Sequence, residues 1–167
     1  MSEAATQELI AQLSASDIEQ RRAAASAFML SPENTQLALV PLCHAAGDPD
    51  EAVRESAVAA LEECEVPKAS ACAGLSDLLM SETTDTAYWA ATLLGRLGSD
   101  AKPWAADIAM ALNGHSASAV RQRCAWALGK IGAADTAITD ALSQAAKSDD
   151  SRLARLAESS LKKLSGS

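Results

Sequence analysis

Apolar residues recur along this chain in two rows that keep step from end to end. In the first row Val53 is followed by Ala57, Ala60 and Leu61, at offsets of four, seven and eight. The same offsets hold from Thr86 (Ala90, Leu93, Leu94), Val120 (Cys124, Ala127, Leu128) and Leu153 (Ala157, Ser160, Leu161), and more weakly from Gln20 (Ala24, Ala27, Phe28). The anchors 20, 53, 86, 120 and 153 advance by 33, 33, 34 and 33 residues. The second row, Leu9, Leu42, Leu75, Ile108 and Leu142, advances by 33, 33, 33 and 34. Offsets of three and four residues mark one face of a helix. A period of this length marks stacked supersecondary units, none of which can bury its apolar face alone.

Each period resolves into two amphipathic segments joined by a polar turn. The pattern predicts first helices over 3–13, 35–46, 68–80, 101–112 and 134–146, and second helices over 17–30, 50–63, 84–97, 117–131 and 149–164. About ten helices follow, in repeats spanning about 1–32, 33–66, 67–99, 100–132 and 133–167 of a single domain, 1–167. Turn chemistry supports the division. Asp17, Asp50, Thr83 and the pair Asp149-Asp150 stand where a side-chain oxygen can accept from the free N–H groups of a helix start. Gly98 and Gly132 follow second helices, where a left-handed residue is easiest for glycine. Pro41 falls inside a predicted first helix, where it should remove a backbone hydrogen bond and bend the axis. The ends depart from the middle as a finite stack requires: Gln20 replaces the anchor Val, and the last helix carries Arg152, Arg155, Glu158, Lys162 and Lys163.

Composition narrows the class further. The chain has 167 residues, one Phe, one Tyr and three Trp, so a sheet core of aromatic residues is disfavoured. A formal net charge of −8 opposes nucleic acid, whose partners show a basic stripe. No apolar run approaches the ~18 residues of a membrane span, and the acidic opening MSEAATQE does not read as a secretory signal, so a cytoplasmic location is expected. Cys43, Cys64, Cys72 and Cys124 are expected to be reduced: Cys124 takes the place of a core Ala, and Cys64 continues the apolar stripe beyond Leu61. Cys43 and His44 are consecutive and diverge by about 100° on a helix, so no metal site is expected.

The run LALVPLCHAAGDPDEAVRESAVAAL, Leu37 to Leu61, closely resembles a HEAT repeat: a Leu/Pro-bearing first helix, an Asp-Pro turn, Val-Arg, then Ala-x-x-Ala-Leu. SAVRQRCAWALGKIG, Ser118 to Gly132, matches the second half of the same pattern. At about 33 residues the units are similar to the short HEAT-like type found also in phycobilisome-lyase proteins. The resemblance covers essentially 4–164 and implies an all-α fold, a right-handed α-α superhelix of five helix pairs. It also implies a ladder in which a turn Asp pairs with the Arg after Val in a neighbouring repeat. Asp48 or Asp50 with Arg54, and Arg121, occupy those places, while Ala87 interrupts the ladder in the third repeat.

No reactive constellation stands out. The His-Glu pairs of HEAT-like di-iron enzymes are missing, since Ala45 follows His44 and Ser116 follows His115. No catalytic residue, metal or cofactor is expected. The aromatics are more informative. With the anchor as position zero, the core stripe is 0, 4, 7, 8 and 11; Tyr88 falls at 2 and Trp126 at 6, away from it, with Trp89 at 3 on its flank. Gln122 and Arg123 take positions 2 and 3 of the next repeat, and Trp104 is expected in the core. In proteins this sequence resembles, second helices line the concave side. Tyr88, Trp89, Gln122, Arg123 and Trp126 would then form a partner-binding cluster, extended by Glu55 with Glu51 and Glu62 and preferring a basic segment. On this reading, truncating Tyr88 or Trp126 leaves folding nearly unchanged. The alternative is that Trp89 packs against a neighbouring helix and Arg123 covers Trp126, with no ligand. As a whole the chain reads as a non-enzymatic, monomeric scaffold for a protein or peptide; the alternative is a phycobilin-lyase-like or other chromophore-handling protein, which would need a closed apolar pocket.

Overall fold

The computed structural model describes residues 2–166. Among them it contains ten α-helices and no strand: α1 (Glu3–Gln12), α2 (Ile18–Leu30), α3 (Leu39–Ala45), α4 (Glu51–Glu63), α5 (Cys72–Asp77), α6 (Thr84–Leu97), α7 (Ala105–Gly114), α8 (Ser118–Ile131), α9 (Thr136–Ala145) and α10 (Ser151–Ser165). The chain divides into two compact units, Met1–Ala71 and Cys72–Ser167. In the first, α2 packs on α4, with α1 against α2 and α3 against α4. In the second, α6, α8 and α10 pack side by side in that order, α7 and α9 form a second row, and α5 packs against α6.

The anchor row is the core of both units. Val53, Ala57, Ala60, Leu61, Ala90, Leu93, Leu94, Val120, Cys124, Ala127 and Leu128 have no accessible surface. The row weakens at the ends, where Gln20 is exposed and Leu161 half-buried. Leu42, Leu75, Ile108 and Leu142 of the second row are fully enclosed too. All four cysteines are buried thiols outside any disulfide. Burial pushes the Cys124 thiol up to about 12 and the Cys43 thiol well above its ordinary range, so both are small apolar core groups.

Second helices match the sequence pattern closely, and Asp17, Asp50 and Asp150 each accept from backbone N–H groups of the first turn as expected, whereas the Thr83 side chain, also expected to cap, makes no such bond at the start of α6. First helices are shorter than the pattern predicts. Three begin as 3-10 segments, Pro32–Leu37, Ala69–Ala71 and Gly98–Trp104, before the α-helix proper. Pro41 therefore sits in the first turn of α3, where its missing N–H has no intrahelical partner to lose. The expected loss of a mid-helix bond does not arise. Trp104 likewise ends the 3-10 segment and is half-buried, not a core residue, because the α-helix starts one residue later.

The Arg-Asp ladder is also built differently from the expectation. Arg21 pairs with Asp48 of the next repeat at 2.8 Å and Arg22 with Asp50 at 2.8 Å. Arg54 instead donates to the carbonyls of Asp48 and Pro49 in its own loop, and Arg121 to the carbonyl of Leu112. One period beyond Asp48 the chain has Ser81, and the corresponding place in the last repeat is Ser148, so the acceptor carboxylate is missing from both later turns. At the turn between α7 and α8, His115 is buried; its Nδ1 accepts from Ala117 N–H, so Nε2 carries the proton and donates to the Ser81 carbonyl at 3.0 Å.

Candidate functional site

Two glycines decide how closely the second helices of the second unit approach. A Cβ on Gly95 of α6 would collide with the ring of Trp126 and crowd the backbone of Ala127 on α8; a Cβ on Gly129 of α8 would collide with Ser160 of α10. Ser160, in the anchor row, donates across this contact to the Ala125 carbonyl at 2.7 Å, so its buried hydroxyl is satisfied. Both glycines stand nine residues after an anchor and meet the seventh position of the next repeat. Small residues at one crossing thus bring three helix faces together, and the side chains at positions 2, 3 and 6 gather beside them.

On that face Arg123 lies over Tyr88, 4.4 Å from the ring centroid, and over Trp126 at 4.9 Å, and its Nη2 donates to the Tyr88 hydroxyl. The guanidinium therefore bridges an aromatic of α6 and an aromatic of its own helix, an arrangement in which both rings present their negative faces to the cation. Lys130 also lies over the Trp126 ring, 6.0 Å from its centroid. Burial, and next the charge of Arg152, lower the Arg123 pKa from its ordinary value. Gln122 turns to α10, donating to Asp150 at 2.8 Å, and Ser118 donates to the same carboxylate. The hydrogen bonds from Ser118 and then Gln122, joined by the backbone N–H groups of Leu153 and Arg152, hold that carboxyl well below the usual carboxylate range.

Tyr88, Ala119, Gln122, Arg123, Trp126, Arg152 and Leu156 line an open cleft of about 290 Å³ between α6, α8 and α10. Four of the six residues singled out from the sequence meet here: Tyr88, Gln122, Arg123 and Trp126. Trp89 does not line it. It is only 7% exposed, set edge-on to Tyr88 with ring centroids 6.0 Å apart and with Arg96 5.8 Å from its ring, and so is a packing residue. Glu55 is exposed on α4 in the first unit and is not part of the lining. Trp126 is half-buried against Gly95, so its truncation would open a gap in the α6–α8 contact, contrary to the expectation for a free surface ring. Sequence reasoning missed Arg152 and Leu156, reading the last helix as a polar cap. A signal was present: Leu156 stands at position 3, off the core stripe, in the column of Trp89 and Arg123.

An all-helical fold of paired, periodically related helices defines an α-solenoid repeat protein. The model of the HEAT repeats matches residues 72–162, more than half of the chain, and the protein belongs to that family. Solved structures agree in fold. An engineered protein is 19% identical with a TM-score of 0.60, over 98% of this chain and 80% of its own. A designed armadillo repeat protein in complex with the peptide (KR)4 is 17% identical with a TM-score of 0.62, over 96% and 82%. The complex of CpcE and CpcF of phycocyanin lyase from Nostoc sp. PCC7120 gives 22% identity and a TM-score of 0.63, over 97% of this chain and 65% of that one. No curated protein matches the sequence. Among the described residues no helix is long and apolar enough to cross a membrane, and no group of three or more His, Cys, Asp or Glu side chains is placed to hold a metal ion.

Proposed function

We propose that this protein is a non-enzymatic binding module that takes a peptide or protein segment on the second-helix face of α6, α8 and α10. The observation that carries the reading is the Tyr88–Arg123–Trp126 stack lining an open cleft. Aromatics held by a guanidinium lose little side-chain freedom on binding, and Tyr, Trp and Arg are the residues in which interface energy concentrates. The cleft's lining of aromatic, guanidinium, amide and aliphatic side chains favours recognition over turnover. Its openness also favours a chain that passes through over an enclosed chromophore. The designed armadillo protein that resembles this fold is in complex with a peptide, which supports the same kind of use. A preference for a basic segment rests on Glu51, Glu55 and Glu62, all exposed on α4 of the first unit, and not on the cleft itself.

The test is selection from an unbiased displayed-peptide library on the purified protein, followed by fluorescence polarisation with the selected peptides. Tyr88→Ala should weaken them by at least about tenfold, or ~1.4 kcal/mol, with helical circular dichroism retained. Peptides that bind equally well to Tyr88→Ala would place recognition elsewhere, and a protein that selects none would sink the reading.

A further inference from the structure

The charge of the cleft is opposite to that of the molecule around it. The chain as a whole carries −8, yet the cleft is lined by Arg123 and Arg152, with Lys130 beside the Trp126 ring. Among the described residues neither arginine is paired with a carboxylate, whereas Arg21 pairs with Asp48 and Arg22 with Glu19 and Asp50. Asp150, at the start of α10, is already engaged by Ser118, Gln122 and two backbone N–H groups. Arg123 is a half-buried cation that lies over two rings and donates to the neutral Tyr88 hydroxyl, its one side-chain acceptor among the described residues. A partly desolvated guanidinium without a counter-charge is stabilised by any anion that enters beside it, and the cost of its desolvation is met before the ligand arrives. Its lowered pKa has the same origin, burial next to a second cation.

Resting on the peptide-binding reading, we infer that the cleft selects an acidic side chain: an Asp or Glu carboxylate seated between Arg123 and Arg152, with the neighbouring apolar side chain against Trp126 and Leu156. The volume of about 290 Å³ suits one or two side chains rather than a folded element. A singly charged carboxylate also meets less repulsion from the −8 chain than a dianionic phosphate would. This specificity differs in sign from the basic preference expected of the acidic α4 face. The cleft and α4 thus ask for different ligands.

Arg152 is exposed and makes no side-chain hydrogen bond among the described residues, so Arg152→Glu reverses a charge without removing packing. Peptides selected without bias should carry Asp or Glu at a fixed position. Arg152→Glu should weaken them at least tenfold while leaving the melting temperature unchanged, and replacing that acid by Asn or Gln should do the same on the wild-type protein. The wild-type affinity should also fall as salt is raised. Selected peptides that lose affinity with Tyr88→Ala but carry no fixed acid, or that bind Arg152→Glu as well or better, would overturn the acidic specificity and leave the peptide-binding reading standing. Phosphopeptides that bind while their Asp and Glu counterparts do not would overturn the choice of carboxylate. Failure to select any peptide, or peptides indifferent to both variants, would overturn both proposals.

Discussion

Gly95 shows how one missing methyl group organises a site. Glycine inside a helix costs roughly 0.5–1 kcal/mol relative to alanine, yet α6 retains it because the Trp126 ring and the Ala127 backbone occupy the space a Cβ would need. Gly95→Ala is therefore expected to destabilise the protein by ~1–3 kcal/mol, the usual cost of overpacking, in spite of its higher helix propensity. Trp126→Ala in the same chain should recover part of that loss, because it removes the colliding ring. A thermal-denaturation double-mutant cycle measures the coupling, and strict additivity of the two changes would show that Gly95 and Trp126 do not share the contact.

At the scale of the element, the start of α4 depends on a carboxylate that does more than cap. Asp50 accepts from Val53 N–H and also pairs with Arg22 of the preceding repeat, so it joins the end of one helix to the flank of another. The Arg22 hydrogen bond is the largest influence on its titration and holds it down to about 2. The folded-state value lies below the unfolded one, which is near 4. Its stabilisation is thus fully present at neutral pH and is lost as the pH falls from about 4 through about 2. Asp50→Asn keeps a capping oxygen but no charge. The melting temperature of wild type should exceed that of Asp50→Asn at pH 7, and the difference should close over that acidic window. A difference that persists unchanged below pH 2 would mean that the Arg22 pair is not its source.

For the whole molecule, stability rests on the anchor row, whose residues are enclosed in both units. Leu61→Ala in the first unit and Leu128→Ala in the second should each cost ~2–5 kcal/mol in chemical denaturation, since each leaves a cavity among helices that already meet through small side chains. Either variant within ~0.5 kcal/mol of wild type would show that the apolar register is misassigned. The same row made the repeat architecture readable, because an apolar residue every third or fourth position, repeated at a fixed period, has few ways of being buried. Helix starts at Asp17, Asp50 and Asp150 were readable for a related reason: a cap is a contact between residues two or three apart.

What the amino-acid order determined by itself is local or periodic: ten helices, the caps at Asp17, Asp50 and Asp150, the enclosed anchor row, and an aromatic group at positions 2 and 6 that faces away from it. What only the tertiary structure decided are contacts between residues some thirty positions apart. Trp89 and Tyr88 are adjacent in sequence, yet one is packed and the other lines the cleft, because burial depends on the neighbouring helix and not on helical phase alone. Arg54 and Arg21 hold equivalent positions, yet Arg21 is the one that bonds forward to an Asp. The positive cleft on an acidic chain is the clearest case. Net charge is a sum over residues, whereas the field at Arg123 depends on which few charges the packing of α6, α8 and α10 brings within reach and which of them it has already neutralised.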